Sequence, residues 1–127
     1  MATSIITKAR RKAFAELTSG RISTIAPIAY IVFGDGGVGS SGEPLMPDEN
    51  QEILVNEIAR FPANSITYPT ETTVRYTVVI PEADMVGAKI SEVGLVDSNN
   101  VLCAVKNMYV KQKDDGVKFT FEFDDEF

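Results

Sequence analysis

The sequence predicts an α+β fold: one N-terminal helix packed on a mainly antiparallel sheet or sandwich of five to seven strands. Three observations predict it. Apolar residues recur at helical spacing in one place, the first stretch of the chain. From Ile25 onward they come in short β-branched and aromatic runs, several of them strictly alternating. Those runs are separated by Gly, Pro, Asn and Asp clusters, and the local order suggests hairpins and a meander. The chain has 127 residues, which predicts a single domain spanning 1–127. A domain of that size buries roughly two-thirds of its unfolded surface, enough for one core.

The predicted helix covers 4–19. Ser4 or Thr7 can cap it, and Gly20 ends it. Ile6, Ala9, Ala13, Phe14 and Leu17 fall on one face, with Lys8, Arg11, Lys12 and Ala15 on the other. Arg10 is the exception, lying in the apolar half near Phe14 and Leu17. Next comes a strand from Ile28 to Phe33, with Pro27 at its start. Gly34-Asp35-Gly36-Gly37-Val38-Gly39 then matches Gly-x-Gly-x-x-Gly. A dinucleotide site needs a helix to open at once, and Ser40, Ser41, Gly42, Glu43, Pro44 and Pro47 do not form one. The 34–47 stretch is therefore predicted to be a flexible loop.

Glu52 to Phe61 reads as a strand, and Pro62, Asn64, Tyr68 and Pro69 as an irregular stretch. Antiparallel strands are predicted across 72–123. Thr72 to Ile80 alternates most cleanly, with Val74, Tyr76, Val78 and Ile80 on one face, and Pro81 stops it. Lys89 to Val105 reads as a strand, a tight turn at Asp97-Ser98-Asn99-Asn100 and a returning strand. Met108 to Gln112 continues that return. Asp115-Gly116 signals another hairpin, into a last strand from Val117 to Phe123. On that strand Phe119, Phe121 and Phe123 face inward, and Asp124, Asp125 and Glu126 follow it.

Two residues of the 89–105 segment stand out. Gly94 inside a strand marks a bulge or a close backbone approach. Glu92 shares a face with Ile90, Gly94 and Val96, so its carboxylate is expected to be buried, and a buried carboxylate needs a partner. Arg10 is the first candidate, followed by Arg60 and Arg75.

The same segment, Ile90-x-Glu92-x-Gly94-Leu95-x-Asp97-x-x-x-x-Leu102-x-Ala104, resembles the signature of the phage tail-collar fibre family, which includes the N-terminal regions of tail-fibre proteins of contractile-tailed phages and related particles. The layout is similar too: an N-terminal helix, a strand ending in Gly34-Asp35-Gly36, a loop, and a second short block at Leu54-Val55-Asn56-Glu57-Ile58. The turn departs from the pattern, with Asn100 near where glycine is expected. The resemblance implies a structural component of a phage tail or tail-like contractile particle, attached as fibre, collar or baseplate adaptor and acting by assembly. It implies other tail or baseplate proteins as partners, a homo-oligomer, and a place in the virion or tail-like particle after assembly in the bacterial cytoplasm. The structural signature residues are then Glu92, Gly94, Leu95 and Asp97.

Composition agrees with a non-catalytic role. The net charge is −6, which disfavours nucleic acid as the main partner. Histidine is absent, and with it the commonest general base and the commonest zinc ligand. The one cysteine, Cys103, sits between strand apolar residues and reads as packing. Asp48, Glu49 and Glu52 lack calcium-loop spacing, and Glu82 with Asp84 reads as a solvated turn. No catalytic residue, cofactor or metal is predicted, no apolar run spans a membrane, and no signal peptide is expected. The alternative is a free-standing module that binds carbohydrate or a protein surface. For assembly, the candidate contacts are Asp35 and Val38 in the loop, and Phe119, Phe121, Phe123 and Phe127 in the terminal strand.

Overall fold

The computed structural model describes residues 3–127. Among these residues, eight strands and one helix run in the order β1 (Thr3–Ile6), α1 (Lys8–Thr18), β2 (Ile28–Gly34), β3 (Glu57–Phe61), β4 (Ser65–Thr70), β5 (Thr73–Ile80), β6 (Lys89–Asp97), β7 (Leu102–Gln112) and β8 (Phe119–Glu126). They form two antiparallel sheets: five strands in the order β1-β7-β6-β2-β3, and three in the order β4-β5-β8. The α+β expectation of a helix on antiparallel sheets is met, with one strand more than the upper count.

The helix begins later than predicted. Residues 3–6 are not its first turn but the edge strand β1, with Ser4 opposite Lys106 and Ile6 opposite Ala104. Consecutive β-branched Ile5 and Ile6 favour that extended form. Thr7 makes the corner. Its Oγ1 accepts from the Arg10 N–H (3.4 Å) and its hydroxyl donates to the Leu102 carbonyl (2.7 Å). The cap thus serves the helix and fastens it to β7. At the far end Gly20 takes φ +81°, the left-handed conformation that closes a helix.

Alternation splits the apolar residues between two cores. Ile31, Phe33, Val93 and Leu95 of the large sheet meet Val78, Ile80 and Phe123 of the small one. Val32, Val96, Leu102 and Val105 point to the opposite face, where Leu54 covers them with Ile5 alongside. Gly94 is a close approach: a Cβ there would lie 2.8 Å from Leu102 Cδ1. The β6–β7 turn is held by Asp97, whose Oδ1 accepts from the N–H groups of Asn99 (2.9 Å) and Val101 (3.0 Å). Asn100 adopts φ +63°, a conformation it reaches more readily than most residues, which explains why glycine is dispensable there.

The last strand goes elsewhere than the Asp-Gly signal suggested. Gly116 does turn the chain, at φ +77°. Yet β8 does not fold back on β7. It crosses to the small sheet and pairs with β5 from Ile80↔Phe119 to Thr73↔Glu126. Two constraints explain this. β1 already takes the outer edge of β7 from Ala104 to Asn107, which leaves a returning strand only the short end of β7. Lys113 is fully buried, donates its ammonium to the Glu82 carbonyl (3.0 Å) and pairs its backbone with Gly87 and Ala88, which turns the chain away. The strand also runs through Asp124 and Asp125 instead of ending before them. Two further differences are local. The strand expected over 52–61 is confined to β3, because Leu54 is used as a plug. The 62–69 stretch, expected to be irregular, contains β4, an exposed edge strand; edge position is where a strand tolerates Pro69 and lacks a buried face.

Arg10 does not pair with Glu92. Its guanidinium meets Asp125 at 2.6 Å, with both side chains almost wholly buried. The guanidinium also lies over the rings of Phe14 (5.2 Å) and Phe127 (5.1 Å). Arg10 sits on α1, which packs beside β7 and the end of β8, out of reach of the opposite end of β6. Burial pushes the Asp125 carboxyl up, while the Arg10 hydrogen bond and charge pull against it. On the surface Arg75 grips Asp124 with two hydrogen bonds (2.8 and 3.1 Å) and holds that carboxyl below its ordinary range. That small contribution is present above the usual carboxylate pKa and fades as pH falls through the lowered one.

Two outcomes are expected. Arg10→Ala leaves Asp125 buried and unpaired, and should lower unfolding free energy by about 3–5 kcal/mol in denaturant titration. Arg10→Met with Asp125→Leu removes both charges and should recover most of that loss. Burial raises the Cys103 thiol to about 11. The folded chain should therefore resist alkylation at about pH 8, and denaturant should release the reaction, as followed by mass spectrometry.

Candidate functional site

Glu92 is fully buried, and its partners are backbone amides. Its Oε1 accepts from the Val55 N–H (2.7 Å). Its Oε2 accepts from the N–H groups of Gly36 (2.9 Å) and Asn56 (3.0 Å). The adjacent Ser91 Oγ accepts from Gly37 N–H (2.9 Å). An ionised carboxylate suits this position because it is acceptor-only and has room for several donors. Charge-assisted bonds to amides replace the guanidinium expected as its partner.

The glycines make the room. Gly34 lies opposite Glu92 in the β2–β6 ladder, and a Cβ there would collide with Glu92 Oε2 and the Asn56 carbonyl. A Cβ on Gly37 would overlap the Ser91 carbonyl. The Gly-rich run is thus shaped to approach β6, and its amides point at protein groups. Further bonds close the arrangement. Asn56 donates to the Asp35 carboxylate (2.7 Å), and Asn107 Nδ2 donates to the Leu45 carbonyl (2.9 Å). Leu45 N–H reaches the Gly37 carbonyl (2.9 Å), and Val38 bridges Pro44. Within the 34–47 segment, Asp35, Gly36, Gly37 and Leu45 are thus hydrogen-bonded to residues outside it. Sequence reasoning missed this because its polar residues have no side-chain core to join; the anchors are backbone amides. The legible signal was a strand carboxylate in a chain that also carries a run of glycines.

The sequence-predicted residues fall into separate places. Glu92 and Asp35 belong to this one network, and Val38 is half-buried within it. Gly94 and Leu95 are core, and Asp97 caps the turn. Phe123 is buried, Phe121 packs on Phe33 (5.0 Å) and Phe119 on Phe121 (5.8 Å), so these rings serve the sheet–sheet core. Phe127 is exposed on one side but stacks edge-on against Phe14 (5.6 Å), and its N–H donates to the Thr72 carbonyl (2.9 Å).

What the clamp presents outward is apolar and acidic. Leu45, Met46, Ile53 and Val55 are exposed to solvent on the 35–57 segment. A second feature is a cleft of about 640 Å³ between α1, the 22–28 segment and the small sheet, with Phe14, Ile25, Ile66, Tyr68 and Tyr76 in its walls. Arg10 and Asp97 border it but are engaged with Asp125 and the turn amides. Among the described residues no group of three His, Cys, Asp or Glu could hold a metal ion, and no helix is long and apolar enough to cross a membrane.

A family model described as phage tail-collar fibre protein, N-terminal, matches residues 1–119. No curated protein and no solved structure matches the chain.

Glu92→Ala strands three amides and should cost about 3 kcal/mol or more of stability, at about 1 kcal/mol or more for each buried donor left unpaired. Glu92→Gln should rescue only part of it, since its NH₂ would face amide donors. Hydrogen exchange should show the Gly36, Gly37 and Asn56 amides protected in the wild type, with Gly36 and Asn56 exposed in Glu92→Ala. Gly37→Ala should be destabilising on the same assay, because the atom it meets is backbone.

Proposed function

The chain belongs to the phage tail-collar fibre family, as an N-terminal region, and from that membership we propose that it is a structural subunit of a phage tail, seated at the collar or baseplate as the attachment point of a fibre and acting by assembly without catalysis. The observation that carries this reading is the match over residues 1–119, which takes in the Glu92 clamp, the loop it holds and all but the last strand. The geometry supports it. Three chemistry-bearing groups are spent on shape: Glu92 on amides, Arg10 on Asp125, Cys103 on packing. β4 and β8 flank the small sheet, so each has a backbone edge open to a neighbouring strand. The partners are other tail or baseplate proteins and further copies of the chain, in the virion or a tail-like injection particle. A carbohydrate-binding module is the second reading, and Tyr68, exposed at the mouth of the cleft, is the observation that favours it.

Gold-labelled antibody against the chain, applied to purified particles, should mark the tail at a fixed position in electron micrographs. Particles made without the gene should lack fibres or fail to assemble tails. Unlabelled tails with normal fibres would overturn the reading, and binding of the free chain on a glycan array would favour the second.

A further inference from the structure

We propose that helix α1 and the 35–57 segment together form a two-fold interface between copies of this chain, with the cationic helix of each copy lying on the acidic, apolar loop of the other. This rests on the assembly reading and names the surface and the partner for it.

Charge is segregated along the chain. Between Arg21 and Arg60 the chain carries Asp35, Glu43, Asp48, Glu49, Glu52 and Glu57, and no lysine or arginine. The exposed row of α1 is the reverse: Lys8, Arg11 and Lys12. The two regions abut. The Lys8 N–H donates to the Glu49 carbonyl (2.7 Å), and Arg11 pairs with the Glu49 carboxylate (2.7 Å). The seam is a shallow cleft lined by Ile5, Ile6, Arg11 and Pro47 to Glu49. Two of these acids are paired within the chain, Glu49 with Arg11 and Glu57 with Arg60. Lys8, Lys12, Asp48 and Glu52 have no ion pair among the described residues.

Adjacent patches of opposite sign on one face have a geometric consequence. A two-fold axis through their seam sets each helix on the other copy's loop, and both contacts form at once. The loop adds the apolar area that exposed charges alone do not supply: Met46 and Ile53 are 74% and 75% exposed, with Leu45 and Val55 beside them. Glu92 holds this loop in one shape before contact, so little ordering is left for association.

Sedimentation velocity on the full chain tests this. The wild type should show a monomer–dimer equilibrium that shifts to monomer as salt rises from about 0.05 to about 1 M. Lys8→Glu with Lys12→Glu should be monomeric, and so should Asp48→Lys with Glu52→Lys. Mixing the two variants, or combining all four changes in one chain, should restore the dimer. Ile53→Asp, at an exposed position, should also dissociate it with an unchanged circular dichroism spectrum. A wild type monomeric at every concentration, a dimer indifferent to either charge reversal, or a combined variant that stays monomeric would each overturn the proposal. A monomeric chain that is still incorporated into particles would overturn this interface and leave the tail reading standing.

Discussion

One buried carboxylate organises the larger sheet. Glu92 stands at the start of β6, and the three amides it accepts come from two separate stretches of loop, at Gly36 and at Val55-Asn56. A carboxylate taken out of water is costly unless its lone pairs are filled. Here it is filled by donors that would otherwise be orphans of irregular backbone. Each side removes the other's penalty. The result is a loop of more than twenty residues, 35–56, with almost no regular structure that nonetheless lies flat on the sheet. It carries Leu54 into the outer core with it.

The glycines follow from that interaction. Gly34 and Gly37 sit where a Cβ would strike Glu92, Asn56 or Ser91. The Gly-x-Gly-x-x-Gly pattern, which elsewhere cradles a pyrophosphate, here cradles a side chain of the same protein. The chemistry is shared, amides converging on an anion, but the anion is internal. The outward face of the same loop is left free for its apolar and acidic side chains, which is how a structural constraint becomes a candidate contact surface.

A second tie closes the fold at the opposite end of the chain. Thr7 fastens α1 to β7, Arg10 reaches from α1 to Asp125 on β8, and Phe14 and Phe127 flank the guanidinium. N- and C-terminal elements are thus locked across the two sheets, and β8 is committed to β5. The charges Asp124 and Asp125 serve this tie and the Arg75 pair. The outer strands of the small sheet, β4 and β8, keep their free backbone.

Much of the fold is legible in the sequence. Alternation gave β5 and the inward face of β8, the Asx-rich turn gave β6 and β7, and helical spacing gave α1, because each depends on residues close in sequence. The charge and the missing histidine bounded the chemistry for the same reason. Burial of Glu92 could be read from its neighbours on one strand face, but not its partners. Backbone amides carry no sequence label, so a cationic side chain is the partner that composition suggests, and Arg10 instead meets Asp125. Pairing between distant strands had the same difficulty. The Asp-Gly turn and a clean aromatic strand are compatible with folding back on β7 or crossing to β5. What decided it was three-dimensional: β1 already held the edge of β7 from Ala104 to Asn107, and buried Lys113 turned the chain towards the second sheet. Local periodicity determined the elements of this protein, and competition for edges and for buried anions, which exists only in three dimensions, decided their partners.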